Sequence, residues 1–138
     1  MIINETISLQ TKGHGDTVDI TPHMSKLLIK SKVKNGIVTV FVTGSTAGIT
    51  TIEFEPNLVE DFSEVWDDIA PESQNYHHDK TWGDNNGYAH VRASLLGPSL
   101  VVPFKDGELV LGTWQQVVVV DFDNRSRERQ VAVQVMGE

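Results

Sequence analysis

The residues best suited to chemistry lie in a polar stretch near the middle of the chain, at positions 76–90. His78 and His90 are too far apart for one helix or strand to set them side by side, but a loop that folds back would do so. Imidazole is a common metal ligand and acid–base group, and its second nitrogen usually bonds a carboxylate or carbonyl. Asp79 and Asp84 can fill that role. The stretch therefore indicates a metal or catalytic site; the plainer alternative is a polar loop bonded to itself and to water.

A second group of candidates surrounds a segment of small residues at positions 44–48. Its backbone amides, with the hydroxyls of Ser45 and Thr46, could approach a phosphate. The segment lacks the lysine of a P-loop and the spacing of a dinucleotide motif, so the pattern alone is weak evidence. Glu53 follows strand-forming sequence after this segment, and its carboxylate could bind a metal, act as a base or face solvent.

Cationic side chains precede the last strand-like segment. Every second residue here is an arginine: Arg125, Arg127 and Arg129. In an extended chain their side chains lie on one face and could bind a phosphate with paired N–H donors. The alternative is that these arginines lie on an exposed strand edge, where their charges discourage aggregation. The pattern alone favours this alternative. Gln115, beside Trp114, is a further candidate for hydrogen bonding to a ligand.

The apolar pattern predicts the elements that would position these side chains. Helices are expected after caps at Thr21 and Asn57, with a third over 88–96. A hairpin turn is expected at Asp106-Gly107. Strands are expected at 3–9, 37–42, 49–55, 100–104, 109–111, 117–122 and 131–135. Because strands dominate and do not alternate regularly with helices, we expect a single α+β domain, residues 1–138, around a large mixed or antiparallel sheet.

Composition narrows the classes of function. The chain has 138 residues, no cysteine and a formal net charge of -8. The absence of cysteine excludes disulfides and thiolate chemistry and fits a reducing compartment. The negative charge disfavours a nucleic-acid partner. No apolar run approaches ~18 residues and no basic leader opens the chain, so we expect no membrane partner and a cytoplasmic location.

Short motifs along the chain resemble those of the YjbQ-like family, whose assigned activity is secondary thiamine-phosphate synthesis. The similarity covers essentially the whole chain, and the Gly-Thr-Trp-Gln segment with its preceding Leu-x-Leu is its most specific part. The motifs are Tyr76-x-His78-Asp79, Trp82-x-Asp84-x-Asn86, Ala89-His90, Ser94-Leu95-Leu96-Gly97-x-Ser99, Gly107-x-Leu109-x-Leu111-Gly112-Thr113-Trp114-Gln115, and Asp121-Phe122-Asp123 followed by Arg125-x-Arg127.

The resemblance implies an α+β fold and a homotrimer whose site lies near the subunit boundary. It also implies a metal held by histidines in some members. Carried over by position, the family histidines are His78 and His90 and the family glutamate is Glu53. These three are the expected ligands of a divalent metal, zinc or magnesium, and together with Asp84 they are the expected catalytic groups.

The activity that the resemblance implies joins a pyrimidine diphosphate to a thiazole phosphate and releases pyrophosphate. Charge on the departing pyrophosphate needs a metal or an arginine to stabilise it. Because the family activity is called secondary, a metal-dependent hydrolase of a phosphorylated metabolite and a non-catalytic trimer that binds a small ligand or metal remain alternatives. The expected contacts to a small phosphorylated substrate are Ser45, Thr46, Asn86, Gln115, Arg125 and Arg127.

One position departs from the family pattern. Many members open the small-residue segment with histidine, as His-Thr-Thr-Ala-Gly, whereas this chain has Gly44 there. Catalytic zinc commonly takes three protein ligands and a water, so two histidines alone form a poor site. We therefore expect Glu53 or water to complete the coordination, or the metal to be absent.

Overall fold

Two antiparallel sheets form the body of the molecule. The computed structural model describes residues 1–138. Its strands are β1 (Ile2–Thr11), β2 (Asp16–Asp19), β3 (Gly36–Val42), β4 (Ala47–Ile52), β5 (Ser99–Lys105), β6 (Glu108–Leu109), β7 (Gln116–Asp121) and β8 (Arg127–Gly137). One sheet has the order β1-β8-β3-β5-β6 and the other β2-β7-β4. Every pair is antiparallel, which confirms the α+β prediction and its antiparallel alternative.

Four helices complete the fold: α1 (Thr21–Ser31), α2 (Pro56–Ile69), α3 (Asp79–Trp82) and α4 (Gly87–Leu96). The predicted helices correspond to α1, α2 and α4. The sequence did not predict α3 because a single turn of four residues shows no apolar periodicity. None of the four has the length and apolarity needed to cross a membrane.

Both predicted helix caps are wrong. Glu55 caps α2: its carboxylate accepts the N–H groups of Asn57 and Leu58 at 2.9 and 2.8 Å. Because proline fills the first position of α2, the cap falls on the residue before that proline. The Thr21 hydroxyl accepts the N–H of Val117 at 2.8 Å instead of capping its own helix, so it fixes α1 to β7.

Strand β7 is buried on both faces. Val117 and Val119 belong to the core between the two sheets, whereas Val118 and Val120 pack with Trp66 beneath the helices. All four valines are at most 1% exposed. The molecule therefore has three layers, with the three-stranded sheet between the five-stranded sheet and the helices α2 and α4. This burial explains why β7 is a continuous apolar run.

A buried ion pair joins the two sheets where β7 ends and β8 begins. Arg129 Nε lies 2.7 Å from Asp121 Oδ2, and Arg129 Nη2 lies 2.8 Å from Oδ1. Asp121 also accepts hydrogen bonds from the Thr11 hydroxyl and the Asp123 N–H. Burial raises the pKa of Asp121, but these hydrogen bonds and the Arg129 charge outweigh burial and hold the pKa below its usual range. Asp121 is therefore ionised in the folded protein at neutral pH.

Replacing this carboxylate should destabilise the fold. Asp121→Asn removes the carboxylate that is hydrogen-bonded to buried Arg129 and leaves only the more distant Asp123, 3.8 Å away, so we expect a loss of about 3 kcal/mol of unfolding free energy at pH 7. Urea denaturation measures it, with Asp61→Asn on the exposed side of α2 as the matched control. If Asp121→Asn lowered the unfolding free energy no more than Asp61→Asn does, the result would contradict the role of the ion pair.

The same variant should show a defined pH dependence. Because the folded pKa of Asp121 lies below its unfolded value of about 4, the pair contributes its full stability above that value. The contribution is lost as the pH falls through the folded pKa. The difference between wild type and Asp121→Asn should therefore shrink in acid; a difference that stayed constant from pH 7 to pH 2 would contradict this.

Candidate functional site

The two histidines lie together. His78 immediately precedes α3 and His90 lies in the second turn of α4, and the loop between the helices folds back. The ring centroids are 4.3 Å apart, with 41° between the ring planes. The polar stretch that separates the histidines in sequence therefore brings two imidazoles into direct contact.

Asp79 holds this loop in place. Its Oδ1 accepts the N–H of Gly87 at 3.0 Å and so fixes α3 to the start of α4. The approach is close: a Cβ at Gly87 would lie 2.6 Å from the Cβ of Tyr76. Asp79 Oδ1 is 3.8 Å from His78 Nδ1, which is too long for a hydrogen bond, and that nitrogen is buried without a partner. Asp79 therefore positions the backbone around His78 without bonding its ring.

The histidines line a polar cavity of about 450 Å³. Three segments build it: the loop after β3, the stretch that contains α3 and α4, and the turn from β7 into β8 together with the beginning of β8. The lining residues are Gly44, Ser45 and Thr46 from the first segment, His78, Trp82, Asp84, Asn86 and His90 from the second, and Asp123, Arg127 and Arg129 from the third.

Glu53 does not lie with the histidines, so a single chain does not bring together the predicted metal set of His78, His90 and Glu53. Strand β4 begins beside the cavity, where Ala47 pairs with Asp121, and its other end pairs with Gln116. Glu53 therefore lies beyond the far end of the sheet, where it lines a different cavity. No three His, Asp or Glu side chains form a group that could hold a metal ion. The residues of a single chain do not fit a three-ligand metal centre.

Two predicted substrate contacts also lie away from the cavity. Gln115 stands next to the distal end of β7 and donates to the Thr51 hydroxyl at 3.2 Å, while its oxygen accepts the Gly112 N–H at 3.1 Å. Arg125 lies exposed in the turn before β8 and does not line the cavity. The turn breaks the alternation that was predicted to put Arg125 on one face with Arg127.

Asp123 organises the cavity floor and is fully buried. Its oxygens accept from Thr46 Oγ1 at 3.0 Å, Arg127 Nε at 3.0 Å, Asn86 Nδ2 at 3.3 Å and the Asn124 N–H at 2.8 Å. Burial raises the pKa of Asp123, but these hydrogen bonds and the Arg127 charge outweigh it and hold the pKa below its usual range. In the sequence, Asp123 was named only as part of a family motif and was given no role. Its place directly after a buried strand, two residues from Asp121, was the available signal.

Asn86 carries an acceptor without a donor. Because ionised Asp123 only accepts hydrogen bonds, it fixes the Asn86 amide with its NH₂ group toward the carboxylate. The amide oxygen is left buried with no hydrogen-bond partner, in a residue that is 4% exposed. Such an atom carries a free-energy cost unless a donor reaches it.

His90 is held in its neutral form. Burial lowers the pKa of His90 most, and the charge that His78 carries when protonated lowers it further. The carboxylates of Asp123 and Asp84 and the backbone of Ser45 raise it by less, so the net shift is downward. At neutral pH the imidazole of His90 can therefore accept a proton or a hydrogen bond.

Comparison with known proteins finds similar sequences over nearly the whole chain. The family described as UPF0047 protein YjbQ-like matches residues 5–138. A UPF0047 protein of Methanocaldococcus jannaschii is 34% identical over 131 residues, which cover 94% of this chain and 91% of that protein. The UPF0047 protein YugU of Bacillus subtilis is 28% identical over 134 residues, which cover 96% of this chain and 98% of that protein.

Solved structures share the whole fold. A YbjQ-like protein of unknown function from Sulfolobus solfataricus superposes with a TM-score of 0.94 at 35% identity and covers 100% of this chain and 99% of its own. A hypothetical protein from Aeropyrum pernix superposes with a TM-score of 0.91 at 30% identity, covering 99% of each chain. The likeness spans both sheets and the segments that build the cavity, and the chain belongs to the YjbQ-like UPF0047 family.

Proposed function

We propose that the protein is a transferase of the thiamine-phosphate synthase type, acting on small phosphorylated substrates. One observation carries the proposal: a histidine pair and two arginines line the same polar cavity. A cavity of about 450 Å³ lies within the size range of sites for small molecules. The resemblance of the motifs to those of the YjbQ-like family supplies the reaction type.

In the proposed reaction, a ring nitrogen of the thiazole phosphate attacks the methylene carbon of the pyrimidine diphosphate. A carbon–nitrogen bond forms as the carbon–oxygen bond to the diphosphate breaks, and the bonding electrons leave with pyrophosphate. No oxidant or reductant is needed. Negative charge develops on the departing oxygen, and donors already in place lower the barrier to that step.

The lining side chains suit these demands. Arg127 offers N–H donors for the pyrophosphate oxygens. The neutral imidazole of His90 can take or return a proton at the cavity wall, and the free oxygen of Asn86 can accept a hydrogen bond from a substrate amino or hydroxyl group. The Ser45 hydroxyl lies at the cavity rim. None of these roles requires a metal.

The direct test supplies both substrates, in parallel with added Mg²⁺ and with a chelator, and follows thiamine phosphate and pyrophosphate by mass spectrometry. We expect both products in equal amounts. His90→Asn should lower the rate by about 100-fold or more if His90 acts as acid or base. His23→Asn, in an exposed position of α1, is the matched control and should leave the rate unchanged.

Other outcomes separate the alternatives. Pyrophosphate or phosphate released without any requirement for the thiazole would identify a hydrolase. Saturable binding of the diphosphate with no product would identify a non-catalytic binding protein. Either result would overturn the transferase proposal.

The histidine contact predicts a shift in titration. His78→Asn removes the neighbouring charge that helps to lower the pKa of His90, so the pKa of His90 should rise toward its ordinary value near ~6.5. NMR titration of the ring protons in the presence of a chelator measures it directly. A pKa of His90 that does not rise in the variant would contradict the contribution of His78.

We also propose a homotrimer, which the family resemblance implies. Exposed apolar side chains in α4, β5 and the segment before β7 give it a surface, with Leu95 63%, Val101 54%, Val110 57% and Trp114 74% exposed. Each interface should bury more than ~1,000 Å². Light scattering should give three times the chain mass of 15.3 kDa, and Val101→Glu should reduce it. Wild-type monomer at micromolar concentration would contradict the proposal.

A further inference from the structure

Gly44 makes room for an arginine. A Cβ at position 44 would lie 2.7 Å from Arg129 Nη1, closer than atoms can pack. The backbone of Gly44 is not in the left-handed region, so its conformation does not demand glycine. The requirement at this position is space, and the side chain that occupies that space comes from β8.

Arg129 cannot easily move out of this position. Its Nε and Nη2 donate to Asp121, and Nη2 also donates to the Thr46 hydroxyl at 2.6 Å. The residue is 7% exposed. Nη1 alone makes no hydrogen bond within the protein, and it lies against Gly44, which with Ser45 forms an exposed part of the cavity wall. Hydrogen bonds thus hold two nitrogens of the guanidinium in place, while the third has no partner within the protein.

We propose that Arg129 Nη1 is a direct contact for a substrate oxyanion, a phosphate or pyrophosphate oxygen, and that Gly44 is the opening through which the anion reaches it. Arg127, 32% exposed at its side chain, lines the same cavity and presents a second guanidinium. The inference rests on the proposed function in one respect, that the ligand of this cavity is phosphorylated. It adds a contact residue and assigns a role to Gly44, the position that departs from the family pattern in the sequence.

Charge balance decides how the anion is recognised. Asp121 and Asp123 offset the charges of Arg129 and Arg127, and Asp84 adds a carboxylate at the exposed rim. These carboxylates outnumber the arginines by one, so net positive charge does not attract the anion. Recognition comes from an N–H donor that is held in place before the ligand arrives, which favours an oxyanion of matching geometry. Any side chain at position 44 would cover or displace that donor.

The test measures pyrophosphate binding by calorimetry in wild type and two glycine variants. Gly44→Ala adds one methyl group against Nη1 and should weaken binding about tenfold or more, the loss expected for a charge-assisted hydrogen bond. Gly112→Ala is the matched control: its added Cβ would be 3.6 Å from the nearest side chain and its φ is not positive, so binding should not change. Thermal unfolding checks that both variants fold.

NMR of the arginine guanidinium groups in wild type provides a second readout that needs no variant. Pyrophosphate should shift the Nη–H signal of Arg129. If wild type binds pyrophosphate but Gly44→Ala binds it equally well and Arg129 does not shift, the inference is overturned while the transferase proposal stands. If Gly44→Ala weakens binding but no thiamine phosphate forms, the anion contact stands and the transferase proposal fails. Wild type that binds no pyrophosphate overturns the inference.

Discussion

The buried pair of Asp121 and Arg129 is the interaction on which the site depends. It connects the end of β7 to the beginning of β8, and so connects the two sheets, at the point where the cavity opens. Burying two charges is costly, and the cost is offset only when hydrogen bonds satisfy both groups. Here the hydroxyls of Thr11 and Thr46 add hydrogen bonds to the pair, and Arg129 Nη1 alone has no partner within the protein. A constraint that stabilises the fold therefore also sets the orientation of a cavity side chain.

Asp123 extends this constraint into the segment that carries the histidines. It accepts from Asn86, just before α4, while the neighbouring Asn124 donates to the backbone oxygen of Asp84 at 2.8 Å. The stretch between α3 and α4 is thus bonded to the β7–β8 turn at two points. His90 lies one turn later on α4, so the same contacts fix its position. A functional group on a rigid element is held more precisely than one on a loop.

The sequence was informative where a pattern is local and misleading where it is not. Periodicity identified most strands and α1, α2 and α4, and polar loop character identified His78 and His90. The sequence misplaced Glu53 because the direction of β4 decides which end of that strand meets the histidines. Residue spacing along the chain does not reveal this direction. Asp123 and Arg129 were underestimated because burial, which makes them important, depends on both sheets packing together.

The four consecutive valines of β7 have a consequence for folding. A strand with one apolar face and one polar face penalises a slip by one residue, because the slip turns its apolar side chains to solvent. A slip of β7 would only exchange one valine for another on each face, so its hydrophobic pattern cannot specify the register. The polar end of the strand therefore sets the register, because a shifted register would bury the carboxylate of Asp121 away from the guanidinium of Arg129. The ion pair therefore also selects the correct alignment of β7 against competing alignments.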